Sequence, residues 1–265
     1  MAEAARKIAR EVDRIDTGPA FTQADADALN ARFEGVPAPD MLRELLAEDT
    51  LGRVGVVSSF GTEAVVLLHL IAQANKDVPV IFVDTLKMFD ETLAYREQVI
   101  ELLGFTNASV VQPDPAVLAA KDETGMRWSY DPDGCCEIRK VEPMRRAKAG
   151  LDCWISGRKA FQSHTRQNLP RFEIEDGRMK INPLGDWTKD DLEAWFAEHD
   201  LPRHPLESRG YPSIGCSPCT STVLPGEDPR AGRWRGWDKT ECGIHSPNNP
   251  ENKDGDLPPG YEPVF

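Results

Sequence analysis

Three features of the sequence predict an α/β fold with a mostly parallel sheet. Short β-branched runs alternate with helical stretches between Arg53 and Ser156. The first run leads through a loop of small residues into an apolar helix. A chain of 265 residues, 40% hydrophobic, is long enough to bury a substantial core. Strands alternating with helices imply right-handed crossovers and a Rossmann-like sheet, with ligands bound at the carboxyl ends of its strands.

Taken in order, residues 1–50 read as a helical N-terminal segment, with helices at 2–15, 25–33 and 41–48, the last announced by Pro39-Asp40. Residues 51–200 read as the α/β core. Strand 54–57 precedes the loop 58–63 and the apolar helix 64–75. The unit repeats as strand 78–83 and helix 91–103, followed by a strand at 109–111 and a helix after Pro113. A loop through 128–134 leads to a helix that opens at Cys135-Cys136 and runs to about residue 149, then to a strand at 152–156. Residues 172–174 and 179–181 form a hairpin around Asp176-Gly177, and helix 188–198 is capped by Thr188, with Asp190 and Asp191 in its first turn. Residues 201–265 are rich in Pro, Gly and Arg and have little periodicity, as expected of a disordered tail or a mobile lid within a single structural domain.

The net charge of −13 argues against nucleic-acid or anionic-membrane binding, because the long-range field repels both. The acid is unevenly spread: nine Lys/Arg and two Asp/Glu lie between Arg139 and Arg171. A local basic patch on an acidic body suits a small anionic ligand. No apolar targeting segment is visible in residues 1–16, and a cytoplasmic location is expected. In that reducing compartment the six cysteines read as ligands, a nucleophile or buried apolar side chains rather than as disulfides.

Three constellations carry chemistry. The loop Ser58-Ser59-Phe60-Gly61-Thr62-Glu63 joins a strand to a helix, where backbone N–H groups and hydroxyls make an anion site, although it lacks the ending of a Walker A loop. Cys135-Cys136 and Cys216-Ser217-Pro218-Cys219 are two cysteine pairs. Adjacent cysteines serve a single tetrahedral zinc poorly, whereas an iron–sulfur cubane places each thiolate on a different iron, so a cluster is favoured over zinc and unliganded thiols rank third. Finally, Cys242 lies in Glu241-Cys-Gly-Ile-His245, behind Arg230, Arg233, Arg235 and Lys239. Nearby positive charge favours the nucleophilic thiolate. The competing reading is an ordinary surface cysteine.

Together, the Ser-Ser-Phe-Gly loop, Asp84-Thr85 after the second strand, the paired cysteines, Arg230-Ala-Gly-Arg233-Trp234 and Glu241-Cys-Gly-Ile-His245 resemble the assimilatory adenylylsulfate (APS) reductases of the bacterial, iron–sulfur type, over about residues 50–245. The Glu-Cys-Gly motif is shared with phosphoadenylylsulfate (PAPS) reductases; the four paired cysteines mark the APS branch. The resemblance implies an adenine-nucleotide α-hydrolase-like fold and a [4Fe-4S] cluster on Cys135, Cys136, Cys216 and Cys219. It also implies attack of Cys242 on APS to give an S-sulfocysteine, with sulfite released by thioredoxin or a glutaredoxin-like dithiol. Lys140, Arg230, Arg233 and His245 would assist catalysis. Ser58, Ser59, Gly61, Thr62, Asp84, Thr85, Gly157, Arg158, Gln162 and Arg166 would hold the nucleotide. A homo-oligomer is possible.

The chain departs from the family pattern twice. Leu86 replaces the glycine of Asp-Thr-Gly, and Lys159-Ala160-Phe161-Gln162 replaces Arg-Arg-Asp-Gln. Either change bears on the choice between APS and PAPS, so PAPS or dual activity is the nearest alternative. More distant alternatives are a tRNA-thiolating ATP pyrophosphatase, whose loop Phe60 and Glu63 do not match, and a non-catalytic redox-sensing iron–sulfur or zinc module.

Overall fold

The computed structural model describes residues 21–48, 50–162, 169–239 and 241–243, residue 162 by its backbone alone. The helix expected at 2–15 lies outside these residues. Six strands form one sheet: β1 (Val54–Val57), β2 (Val80–Val83), β3 (Ala108–Val111), β4 (Cys153–Ser156), β5 (Phe172–Glu175) and β6 (Arg178–Ile181). Their spatial order is β3-β2-β1-β4-β6-β5, and all neighbours are parallel except the β5–β6 hairpin. The chain thus winds outward from β1 to β3, then crosses back to place β4 on the other flank of β1. The crevice between the carboxyl ends of β1 and β4 is a topological switch point, the place where open α/β sheets bind ligands.

The helices are α1 (Gln23–Arg32), α2 (Ala38–Ala47), α3 (Ala64–Ala74), α4 (Asp90–Leu103), α5 (Pro115–Lys121), α6 (Pro132–Cys136), α7 (Glu142–Lys148) and α8 (Lys189–Glu198). Helix α3 is apolar on nearly every side because it is covered on nearly every side: Val65, Val66, Leu67, Leu68, Leu70 and Ile71 are all buried. At about 1.5–3 kcal/mol per buried side chain, this helix anchors the core. It meets α2 and α4 and shares one apolar cluster with Phe33, Phe82, Phe172 and Phe196. A smaller cluster of Ile81, Leu151 and Trp154 fills the opposite face. At the sheet edge, Asn30 of α1 donates to Phe172 O at 2.8 Å and accepts from Phe172 N at 3.1 Å. This side chain satisfies strand backbone that an open edge would expose.

Two expectations need correction. Residues 128–134 are not all loop: Asp131 accepts a hydrogen bond from Gly134 N at 2.8 Å, Pro132 occupies the first helical turn, and α6 starts there, three residues before the cysteines. The Asp-Pro pair is a helix start signal that outweighs the local polarity. The helix that follows is interrupted by a π turn at Glu137–Val141, which carries Arg139 and Lys140 inward. Such turns concentrate at functional sites.

The described part of the C-terminal segment is irregular yet cross-bonded. Ser221 N donates to Gly232 O at 2.8 Å, Trp234 N to Cys219 O at 3.0 Å and Val223 N to Gly210 O at 3.0 Å, so residues 210–234 fold back onto the cysteine turn.

Leu86 adopts φ +59° and is 48% exposed, so its side chain is half in water while its backbone is left-handed. That conformation suits the glycine that the family pattern carries at this position. Leu86→Gly should raise stability by about 0.5–1 kcal/mol, read as a higher denaturant midpoint at unchanged slope, because a left-handed non-glycine residue costs roughly 1–2 kcal/mol and glycine's extra chain entropy returns part of it. A lower midpoint would show that Leu86 contributes packing that its exposure does not reveal.

Candidate active site

A cleft of about 430 Å³ opens over the carboxyl ends of β1 and β4. Ser58, Ser59, Gly61 and Thr62 form its floor, with Gly157 and Arg158 beyond β4. Lys140, Arg230, Arg233 and Cys242 line the same cleft although up to 102 positions separate them in sequence. The floor loop is held by its own chemistry. Ser58 Oγ accepts from Phe60 N at 3.2 Å, Phe60 turns left-handed (φ +50°) and buries its ring edge-on to Phe82, and Thr62 Oγ1 donates to Pro212 O at 3.0 Å. No side chain caps the N-terminus of α3; Ala64 N, its first amide, donates to Gly61 O of the loop at 3.1 Å.

Two predicted residues are placed elsewhere. Asp84 spends its carboxylate on Leu86 N at 2.9 Å and Gln112 Nε2 at 2.9 Å. Thr85 is buried, with Oγ1 3.2 Å from Cys216 Sγ and its carbonyl accepting from Arg139 Nη1 at 2.9 Å. Neither lines the cleft; Thr85 instead supports a cysteine. Arg166, His245 and the Gln162 side chain lie outside the described residues.

The four paired cysteines come together. Cys135, Cys136, Cys216 and Cys219 line one small cavity with Trp128, Trp234 and the cations Lys87, Arg139 and Lys140. Three of the thiols are buried and Cys219 is partly so. Burial pushes Cys135 up to about 11 and Cys136 up to about 12, the latter opposed by Lys140. Cys216 is also buried, yet Lys140, Thr85 and Arg233 together hold it below the usual thiol range. Arg139 is itself fixed by Asp122, at 3.0 and 2.6 Å, in a buried ion pair. Among the described residues no three His, Cys, Asp or Glu side chains gather as ligands of one metal ion. Four sulfurs on a shared cavity, flanked by cations and a hydroxyl, fit a cluster with one thiolate per iron better than a single ion.

Lys140 and Trp234 line both the cavity and the cleft. Burial opposes the Lys140 charge, but Cys216, Cys242 and Cys136 outweigh it and raise its pKa. Arg233 is pushed down, first by burial and then by Arg230, with Cys242 opposing. Its Nη1 donates to Ile214 O at 3.1 Å, its guanidinium stacks 4.4 Å from the Trp234 ring centroid, and its Nε is buried without a partner among the described residues. A Cβ on Gly215 would lie 2.2 Å from that guanidinium, so any other residue there would displace it from this position. Arg230 pairs with Glu241 at 3.1 Å, beside Cys242. Gly243 then takes φ +82°, a turn that glycine makes without strain. The remaining cysteine, Cys153, is fully buried in β4, where burial raises its pKa.

Charged side chains of both signs also line the cleft, Lys148 and Lys189 among them. Lys159 Nζ pairs with Glu63 at 3.0 Å, Arg158 with Glu173 at 2.7 Å, and Glu193 and Glu207, which also line the cleft, both pair with Arg203. Sequence reasoning missed these pairings, since Glu63 and Lys159 are 96 residues apart and no local spacing announces their contact.

Comparison with known proteins identifies the family of the chain. The profile described as phosphoadenosine phosphosulfate reductase domain matches residues 53–222. The chain belongs to the phosphoadenosine phosphosulfate reductase family. It is 44% identical to an adenosine 5'-phosphosulfate reductase of Mesorhizobium japonicum, over 89% of this chain and 93% of that one. It is 45% identical to the enzyme of the same name from Chelativorans sp., over 86% and 94%. A phosphoadenosine 5'-phosphosulfate reductase of Gloeobacter violaceus is 41% identical over 72% and 81%. The crystal structure of a phosphoadenylyl-sulfate reductase from Candida auris, a phosphate complex, superposes with a TM-score of 0.65 at 29% identity, over 77% and 98%. Among the described residues no helix is long and apolar enough to cross a membrane.

Away from the cleft, a buried histidine makes the stability of the chain depend on pH. His204 Nδ1 accepts from Leu206 N at 3.2 Å, so the neutral ring carries its proton on Nε2, 3.1 Å from Thr92 Oγ1. Burial lowers its pKa from 6.5 to about 4. The folded state therefore binds fewer protons, and this contribution to stability is full above about pH 6.5 and is lost as the pH falls toward 4. His69, lowered by burial and by His199, acts in the same direction. The denaturant midpoint should fall across that window, and His204→Gln should flatten the fall; an unchanged pH slope in the variant would remove His204 from the account.

Proposed function

We propose that the protein reduces APS to sulfite and AMP through an S-sulfocysteine on Cys242. The observation that carries this reading is the convergence of Cys242, Lys140, Arg230 and Arg233 on one cleft above the switch point. The Cys242 thiolate attacks the sulfur of APS; the S–Sγ bond forms as the bond from sulfur to the phosphate oxygen breaks, and AMP leaves with that electron pair. A thiolate of thioredoxin, or of a comparable dithiol, then attacks Cys242 Sγ, sulfite departs, and the second thiol of the donor closes a disulfide that frees the enzyme thiol. The donor is external because Cys153 is buried and the other four cysteines share the cavity.

Arg230, Arg233 and Lys140 offset the negative charge of the sulfate and of the departing phosphate. The loop Ser58–Glu63 and the α3 N-terminus receive the nucleotide phosphate, and Gly157 and Arg158 flank the adenosine. Cys135, Cys136, Cys216 and Cys219 would hold the [4Fe-4S] cluster. When bound, the cluster supplies charge at the wall that Lys140 shares with the cleft. His245, Gln162 and Arg166 retain the roles implied by the family resemblance.

APS is favoured over PAPS because Arg158 and Lys159 are already committed to carboxylates, while Glu193 and Glu207 share a single cation, Arg203. Such a wall receives a second phosphate poorly. The test is turnover with excess dithiol: sulfite and AMP should form from APS with kcat/KM at least about tenfold above that for PAPS. Equal use of both nucleotides would make the chain a dual reductase, and no sulfite from either would end the reading.

A further inference from the structure

An ion pair ties the segment that bears Cys242 to the helix that bears two of the paired cysteines. Lys239 stands three residues before Cys242. Its side chain is only 8% exposed, and its ammonium pairs with Asp133, in the first turn of α6. The same ammonium lies 5.6 Å from the Trp234 ring centroid, on the aromatic side chain that Arg233 also stacks against. Beyond Lys239, the Arg230–Glu241 pair holds the residue next to Cys242. Gly243 follows, its Cβ position 3.5 Å from Val141 of the π turn. The described residues just before Cys242 are therefore fixed to α6 and to the cationic wall.

We propose that the Lys239–Asp133 pair is a positioning latch, which sets the Cys242 sulfur against Lys140 and Arg233 and makes that placement depend on α6. The proposal rests on the reaction described above. Asp133 lines neither the cleft nor the four-cysteine cavity, so it acts only through Lys239. Its carboxylate is 71% exposed, so the pair contributes little to folding. Lys239 is nearly buried, however, and without its counter-charge it moves toward water and carries the segment with it. A displacement of about 1 Å at a reacting group costs on the order of 10²-fold in rate. Because α6 also holds Cys135 and Cys136, loss of order in the cysteine cavity would pass to Cys242 through this pair.

The test uses the full-length, iron-replete protein and the variants Asp133→Asn, Lys239→Asp and the exchange Asp133→Lys/Lys239→Asp. With APS and no reductant, each single variant should form the Cys242 adduct about 10- to 100-fold more slowly than wild type, with AMP affinity and melting temperature little changed, and the exchange should restore the rate to within about threefold. A rate within twofold of wild type in Asp133→Asn, or an exchange no better than the single variants, overturns the latch. So does a parallel loss of AMP affinity, which would mark a general structural role. Iodoacetamide provides a readout independent of the reaction: without nucleotide, alkylation of Cys242 in Asp133→Asn should be at least about threefold faster, as the segment leaves the wall. An unchanged alkylation rate overturns the proposal. Absence of any adduct in wild type would instead defeat the proposed reaction, while the alkylation result would still decide the latch.

Discussion

Cys242→Ser should form no sulfonate adduct when mixed with APS in the absence of reductant, while the native protein gains one on Cys242. Steady-state sulfite production should fall by about 10⁴-fold or more, the scale on which a covalent nucleophile is lost. The expectation follows from exclusion as well as from placement. Of six cysteines, four line one cavity and Cys153 is sealed in β4, which leaves Cys242 as the cysteine on the cleft. Mass spectrometry of the intact protein and of its Cys242 peptide settles the point. Equal adduct on the serine variant would move the nucleophile elsewhere and undo the assignment of the cationic wall.

The second large effect is expected at Lys140. Replacing it with Met keeps the length and apolar stem of the side chain but deletes an ammonium that faces both the cysteine cavity and the cleft. Lys140 also lowers the Cys216 pKa and is itself kept charged by Cys216, Cys242 and Cys136. Removing one preorganised charge from a developing anion costs about 10²–10³-fold. Lys140→Met should lose that much in kcat/KM and in the single-turnover rate of adduct formation. Iron content, measured on the same preparation, separates this loss from a failure to assemble the cysteine cavity. A fall of less than about fivefold at unchanged iron would leave Lys140 with a structural role only.

Much of the fold was legible because it depends on local signals. The β1 and β2 runs, the apolar α3, the capped α8 and the hairpin around Asp176-Gly177 each follow from a period or a turn within about ten residues, and all appear where expected within a few positions. Within the expected loop at 128–134 the Asp131-Pro132 start signal opens α6 three residues before the cysteines. The π turn at 137–141 has no sequence signature, because its extra residue is accommodated by what Arg139 and Lys140 meet in the interior.

The chemistry divides in the same way. Sequence alone determined which residues can act: a thiol among cations, two cysteine pairs, and a small-residue loop between a strand and a helix, since nucleophilicity, metal affinity and turn geometry belong to residue type and short spacing. Tertiary structure decided which of them meet. It brought Lys140 to the shared wall, drew Thr85 to Cys216 and away from the cleft, and paired Lys159 with Glu63 and Lys239 with Asp133. The last of these pairs spans 106 residues. Such pairings depend on how the sheet order and the helix crossings bring distant segments together, and no local period in the chain encodes that distance.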